Sequence, residues 1–247
     1  PARAQARDRL IFALSSYPPS LRPWANAGTA AGTAKAQFLR ALLSYDAKGA
    51  IRGELAESWA AEGPTTWTLK LREGVKFHDG EALTPDAVRR SFELIQDEKS
   101  TAFLRNAFGS LIDRIEAPDA RTVVFTLTRS ADLPRLLTLP TAYPVYLPAL
   151  AEHGAQHTRP GKLVGNGAYA LQAWLPQAMI TLARNPHFRE TAPIPTVRFH
   201  VTEDASSELK RFEAGGLHLT ETVPPQPLGP LRARFGDQLR ISPYLGS

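Results

Sequence analysis

The chain has 247 residues, of which 43% are apolar, a composition that is sufficient for a globular core. It contains no cysteine, which excludes disulfides and thiolate metal sites, and no apolar run approaches the roughly eighteen residues that a membrane span requires. The 29 basic and 24 acidic residues are scattered as singlets and pairs, so the sequence lacks the basic stripe typical of nucleic-acid binding. We therefore expect a globular protein without a nucleic-acid partner.

The first third of the chain combines short strands with one long helix. Residues 9–14, RLIFAL, form an apolar run that predicts a strand. The Ala/Gly-rich stretch 25–36 leads into a helix that we expect to end at about Leu43. Residues 67–71, WTLKL, alternate between apolar and polar side chains, which predicts a strand with one buried face.

A helix with a well-defined beginning follows this strand. Thr84 can accept a backbone N–H as the N-cap, and Pro85 fits the first helical position because its missing donor would be unpaired there. We predict the helix over residues 85–97, with an apolar stripe formed by Val88, Phe92 and Ile95.

The remaining elements predict a mixed α/β protein. We expect strands over residues 112–115, 122–127, 169–174, 179–184, 196–201 and 217–223, and helices over residues 133–139, 148–153 and 205–214. The turn at Pro118-Asp119-Ala120 predicts that the first two of these strands form an antiparallel hairpin. The Pro- and Gly-containing connector 144–167 is a candidate domain crossing.

No pattern in the sequence indicates a catalytic centre. His153 and His157 stand four residues apart, as metal ligands on a helix do, but Gly154 interrupts the helix and no HExxH pattern is present. His78 beside Asp79 could be an acid/base pair, although the glycine that follows favours a turn. Nucleophile-elbow, phosphate-loop and dinucleotide-binding glycine motifs are absent from the sequence. We therefore expect no enzymatic activity, no cofactor and no metal site.

Three stretches, in order, resemble the extracytoplasmic solute-binding proteins that serve peptide and nickel ABC importers, known as solute-binding protein family 5. Residues 55–92, LAESWAAEGPTTWTLKLREGVKFHDGEALTPDAVRRSF, resemble the family's Leu-Ala-x-Ser-Trp run and the strand, turn and helix that follow it. Residues 164–188, VGNGAYALQAWLPQAMITLARNPHF, resemble its crossing strand. Residues 194–219, IPTVRFHVTEDASSELKRFEAGGLHL, resemble a later strand, helix and strand of the family.

The resemblance implies a fold of the type II periplasmic-binding-protein class, an α/β lobe with a mixed sheet and a smaller inserted α+β domain. Residues 1–43 and 162–247 would form this lobe I, and residues 44–161 would form the inserted domain. Family members close two lobes over their ligand. The resemblance therefore also implies that the second lobe is absent from this chain.

The resemblance further implies where a ligand binds. The expected contacts lie in loops or crossings, at Tyr17, Phe103, Tyr143, Asn166 and Gly167. Peptide binders of this kind hold the ligand main chain as an added strand. The crossing sequence NGAY is closer to the oligopeptide binders, and loop 139–148 lacks the Arg that nickel-chelate binders carry there, so a peptide is the expected ligand. Against this, Pro18 and Pro19 remove two backbone donors where peptide binders offer hydrogen bonds.

The resemblance implies two partners: the membrane permease of an ABC importer and the protein's own C-terminal half. The chain begins PARAQARDRL, without Met or an apolar export segment, and we expect that processing removed an N-terminal piece. The expected location is periplasmic or otherwise extracytoplasmic. The alternatives are another solute such as a nickel chelate, a solute sensor that uses the same lobe, and a hydrolase built on this scaffold.

Overall fold

The computed structural model describes residues 8–25, 28–202 and 204–241. The strands in these ranges are β1 (Arg9–Leu14), β2 (Leu43–Tyr45), β3 (Ile51–Gly53), β4 (Ala56–Ala61), β5 (Thr66–Leu71), β6 (Ile112–Glu116), β7 (Thr122–Leu127), β8 (Tyr169–Leu175), β9 (Met179–Arg184) and β10 (Thr196–Val201). The helices are α1 (Gly28–Phe38), α2 (Pro85–Gln96), α3 (Arg105–Leu111), α4 (Leu133–Leu136), α5 (Leu147–His153), α6 (Ala205–Glu213) and α7 (Leu228–Phe235).

The first sheet joins segments that are distant in the sequence. Its strand order is β1-β10-β9-β8, in which β1 pairs in parallel with β10 and the other pairs are antiparallel. The core beneath it contains Phe38 of α1 together with Ile180 and Leu182 of β9, all fully buried. Mixed pairing therefore assembles one sheet from both ends of the described chain.

The second sheet is antiparallel throughout, in the order β4-β5-β7-β6. Helix α2 packs on it through Phe92, whose ring meets Phe108 and Phe125 edge-on at centroid distances of 5.7 and 5.2 Å. The predicted cap is confirmed, because the Thr84 hydroxyl accepts a hydrogen bond from the Ala87 N–H at 3.2 Å. Each of these two four-stranded sheets thus has its own hydrophobic core. The remaining strands, β2 and β3, pair with each other as a short antiparallel hairpin.

The chain passes between the two sheets in adjacent crossings, after α1 and before β8. The Gly167 N–H donates to the Phe38 carbonyl at 3.1 Å, and the Arg40 N–H donates to Oδ1 of Asn166 at 2.7 Å. The crossings lie so close together that a Cβ added at Gly167 would stand 2.5 Å from the Gln37 carbonyl oxygen. Glycine is required here because the backbones are in direct contact.

Two of the predicted elements were wrong. Helix α1 ends at Phe38 rather than at about Leu43, because the backbone N–H groups of Arg40 and Leu43 donate to Asn166 and Leu137 instead of to helix carbonyls. Residues 217–223 do not form a strand, because Leu219 makes only an isolated parallel bridge to Phe12. Two residues later, the Glu221 carboxylate accepts a hydrogen bond from the Ser15 N–H at 2.6 Å. The sheet edge is therefore completed partly by a side chain.

The other predicted elements exist, and strands β1, β7, β9 and β10 have the expected bounds. The boundaries proposed for lobe I and the inserted domain stay predictions. Within the described ranges, no helix combines the length and apolar character needed to cross a membrane.

Candidate functional site

A cavity of about 100 Å³ opens beside the first turns of α1. Its lining combines small residues of the helix, a buried lysine and a loop aromatic: Ala25, Gly28, Gly32, Lys35, Phe103, Leu104, Leu139, Pro140 and Thr141. Gly28, Gly32 and Lys35 lie on one face of α1 because they are spaced four and three residues apart. The glycines leave room above the helix, and the lysine supplies the charge.

Phe103 is displayed at the rim of this cavity. Its side chain is 47% exposed, although its backbone is fixed by a hydrogen bond from its N–H to the Trp24 carbonyl at 2.9 Å. The next residue, Leu104, has φ of 64°, a left-handed conformation that is uncommon for a branched apolar residue. An exposed aromatic on a constrained backbone is suited to contact a ligand, because little side-chain freedom is lost on binding.

Lys35 is a buried cation whose partners are carbonyl groups. Its ammonium donates to the Arg22 carbonyl at 3.0 Å and the Ala25 carbonyl at 2.7 Å, and in the described ranges no carboxylate lies within ion-pair distance of it. Burial lowers the pKa of Lys35 to about 8. An ammonium has three donors, so one has no partner among the described residues and is available to an acceptor in the cavity.

Tyr17 lies on the segment that leaves the first sheet. Its ring stacks on Trp174 at 6.1 Å, and the guanidinium of Arg159 covers Trp174 at 5.2 Å. The backbone N–H groups of Ser16 and Tyr17 make no hydrogen bond to any described residue. The segment thus presents free backbone donors beyond the end of β1.

The structure does not bring all the predicted site residues together. Tyr143 is buried and faces a different cavity, which Arg40 also lines. Asn166 and Gly167 hold the two crossings in place through the hydrogen bonds to Arg40 and Phe38. Phe103 lines the cavity beside α1, and Tyr17 lies on the adjoining segment; contact with a ligand stays a prediction for all five residues.

The histidines considered as metal or acid/base candidates have structural surroundings. His157 stacks on Trp24 at 5.6 Å, and its Nδ1 lies 2.8 Å from the Gly154 carbonyl; burial lowers its pKa. His78 accepts a hydrogen bond at Nδ1 from the Gly165 N–H at 3.0 Å. No group of three or more His, Asp or Glu in the described ranges could hold a metal ion.

Sequence reasoning missed Lys35 and the cavity itself. The one available signal was a lysine within an Ala/Gly-rich helix, three positions after Gly32 and on the same face. Burial of that lysine depends on the 22–25 segment folding back over α1, which no local pattern indicates.

Comparisons with known proteins identify the family. The profile of the bacterial extracellular solute-binding proteins, family 5 Middle, matches residues 50–247. The probable deoxycholate-binding periplasmic protein YgiS of Escherichia coli K12 is 25% identical over 100% of this chain and 50% of its own length. The periplasmic oligopeptide-binding protein OppA of Salmonella typhimurium is 27% identical over 99% of this chain and 49% of its own length.

A solved structure of OppA from Burkholderia pseudomallei superimposes with a TM-score of 0.85 at 24% identity, over 93% of this chain and 49% of that one. This likeness confirms the predicted α/β lobe with a mixed sheet. The chain spans about half the length of the curated relatives it matches. By the extent of the profile match, the chain belongs to the bacterial extracellular solute-binding proteins of family 5.

Proposed function

We propose that this chain is part of the extracytoplasmic solute-binding component of an ABC importer, that it captures peptides, and that it delivers them to a membrane permease. The family and the oligopeptide-binding relative support a peptide as the solute. The names of both curated relatives place those proteins in the periplasm, which supports the same location for this one. The protein acts by binding and not by catalysis.

The observation that carries this proposal is the exposed Phe103 above the cavity that contains Lys35. A peptide side chain packs against the Phe103 ring, while the third donor of Lys35 binds a main-chain carbonyl or the terminal carboxylate of the peptide. The N–H groups of Ser16 and Tyr17, which no described residue accepts, serve the peptide main chain, as in recognition by strand addition.

A single lobe binds a peptide weakly. Two-lobed binders enclose the solute and supply polar partners from both sides, so one lobe leaves half of the solute hydrated. We therefore expect weak binding by this chain alone and tighter binding once the downstream half is added as a partner. Micromolar or tighter affinity of the isolated chain would contradict this two-lobe reasoning.

Saturation-transfer NMR with an unlabelled tripeptide library tests the site. Phe103→Ala should weaken binding by about tenfold, the effect of losing about 1.4 kcal/mol of contact energy. Tyr45→Ala is the matched control, because Tyr45 is 48% exposed and lies on the β2–β3 hairpin, away from the cavity. Equal binding by the two variants would argue against the site at Phe103.

One observation favours a second candidate solute class. Pro18 and Pro19 confine strand addition to Ser16 and Tyr17, since proline has no N–H. A compact amphipathic solute needs fewer main-chain partners than a peptide, and one relative is named for deoxycholate. Measuring deoxycholate beside the tripeptides in the same experiment distinguishes the two classes. The solute bound at this site is the one whose affinity for the protein falls in Phe103→Ala but not in Tyr45→Ala.

A further inference from the structure

A second and larger cavity, of about 360 Å³, lies where the two sheets meet. It is formed by the last turn of α1, the β2–β3 hairpin, the segment that precedes Tyr143, and the residues that follow β9. Three arginines line it: Arg40, Arg52 and Arg189. The carboxylates that line it are Glu54 and Glu190, so cations are in excess.

The single buried carboxylate of this cavity is already saturated. The side chain of Glu54 is only 5% exposed, and its Oε1 lies 2.9 Å from Nη2 of Arg189 and 3.5 Å from Nε of Arg40. Its Oε2 lies 3.6 Å from Nη2 of Arg52 and accepts from the Ser44 hydroxyl at 3.4 Å. Three guanidinium groups therefore share one buried negative charge.

Two of the arginines that line the cavity keep a donor that no described residue accepts. Arg189 directs all its nitrogens to Glu54 or Glu190, whereas among the described residues no partner is present for Nη2 of Arg40 or Nη1 of Arg52. The cavity is also lined by Tyr143, whose hydroxyl likewise has no hydrogen-bond partner in the described ranges. In the described part of the chain, these three groups are therefore donors without an acceptor.

The positions of the guanidinium groups are fixed before any ligand arrives. Arg40 and Arg189 both lie against the ring of Phe188, at 5.7 and 5.2 Å from its centroid, and Nε of Arg52 donates to the Ser44 hydroxyl at 3.0 Å. Burial lowers the pKa of Arg40, the Glu54 carboxylate raises it, and the neighbouring arginines lower it further. Arginine stays charged, so an additional anion relieves this repulsion.

We propose that Arg40, Arg52 and the Tyr143 hydroxyl form a binding site for a small molecule that carries a phosphate or carboxylate group, separate from the solute surface at Phe103. Guanidinium groups bind both kinds of oxyanion through paired N–H donors. Because Arg40 follows α1 and Arg52 lies on the hairpin beside the second sheet, a bound anion links the two sheets. The proposal does not depend on which solute binds at Phe103.

Thermal unfolding and calorimetry with inorganic phosphate, and separately with citrate, test this site at ionic strength matched with sodium chloride. A ligand that binds the folded state raises the melting temperature in a saturable manner. We expect this rise with phosphate or citrate but not with chloride, and the anion that binds more tightly identifies the preferred group.

Arg52→Gln should raise the dissociation constant by about tenfold or more, since it removes a charge-assisted hydrogen bond. Arg114→Gln is the matched control: the two arginine side chains are 59% and 62% exposed, each pairs with a glutamate, and Arg114 lies on β6 away from the cavity. Because Arg52 is so exposed, its replacement should leave the fold intact, and the ligand-free melting temperature checks this. The proposal would be overturned if phosphate and citrate raised the melting temperature no more than chloride does, or if both variants bound these anions equally. If Arg52→Gln still binds tripeptides as the native chain does, this site is separate from the one at Phe103.

Discussion

We predict that the imidazole of His78, which lies at the junction between the sheets, makes the stability of the protein depend on pH. Its backbone N–H donates to the Gly165 carbonyl at 2.8 Å, and its Nδ1 accepts from the Gly165 N–H at 3.0 Å. The ring must therefore be neutral, with its proton on Nε2. A second proton would remove the acceptor and place a charge in a buried position, and this burial lowers the pKa of His78 to about 4.

The magnitude follows from the difference between the folded and unfolded states. An unfolded histidine has a pKa of about 6.5, so below that pH the unfolded chain binds a proton that the folded chain rejects. The stability contributed by His78 is thus complete above about pH 6.5 and is lost as the pH falls toward about 4. The full loss is about 3 kcal/mol, and roughly 2 kcal/mol of it is reached by about pH 5.

Urea denaturation of the native chain and of His78→Asn, at about pH 7.5 and about pH 5, measures this effect. Asparagine retains an acceptor for the Gly165 N–H but does not titrate. The difference in the free energy of unfolding between the two proteins should shift by about 2 kcal/mol between these pH values, in the direction that favours the variant at low pH. Comparing the two proteins cancels the contributions of His157 and His200, whose pKa values burial also lowers. Parallel losses of stability in both proteins would refute the reasoning.

Two further predictions concern stability. Phe92→Ala should lower the free energy of unfolding by about 3–5 kcal/mol, because the ring is fully buried between those of Phe108 and Phe125. Trp67→Ala should lower it by less, because Trp67 is only partly buried. Urea denaturation of both variants measures the two losses, and equal losses would contradict the packing described. Gly167→Ala should lower the melting temperature because its methyl group meets the Gln37 carbonyl, while Gly229→Ala, whose methyl group meets nothing within 4 Å, should not; thermal unfolding of both variants decides this.

The sequence predicted elements well where local chemistry determines them. Strand β7 was predicted with its observed bounds because Val123, Phe125 and Leu127 follow the alternation of a strand, and in the structure all three are buried whereas Val124 and Thr126 are only partly buried. The beginning of α2 was predicted because its cap is made by Thr84, three residues before the N–H that it accepts. In both cases the decisive interactions lie within a few residues.

Prediction failed where distant backbone groups decide the structure. The end of α1 is set by the pairing of Arg40 with Asn166, 126 residues away. No local signal indicates this contact.

The β2–β3 hairpin is a local element that was also missed, because its strands are only three residues long and their pattern is too short to detect.

The candidate site was predicted only in part for a related reason. The resemblance predicted which loops contact a ligand, but it does not indicate whether an aromatic side chain in such a loop is exposed or buried. Phe103 is exposed at the cavity rim and Tyr143 is buried in the junction, although both were predicted from irregular segments. The direction depends on the neighbouring element: the Trp24 carbonyl fixes the backbone of Phe103, whereas Tyr143 packs into the core of the first sheet.

Helix α1 explains why the two cavities are separate. Lys35 lies on α1, whereas Arg40 lies beyond the end of the helix, where its backbone N–H donates to Asn166 rather than to a helix carbonyl. Lys35 bonds to carbonyls of the 22–25 segment beneath the Phe103 cavity, and Arg40 pairs with Glu54 across the junction. Because Gly167 and Asn166 fix the end of α1, a rotation of the whole helix toward either cavity would break the hydrogen bonds of the crossings. Helix α1 and the crossing that follows it thus place two cationic side chains in different cavities.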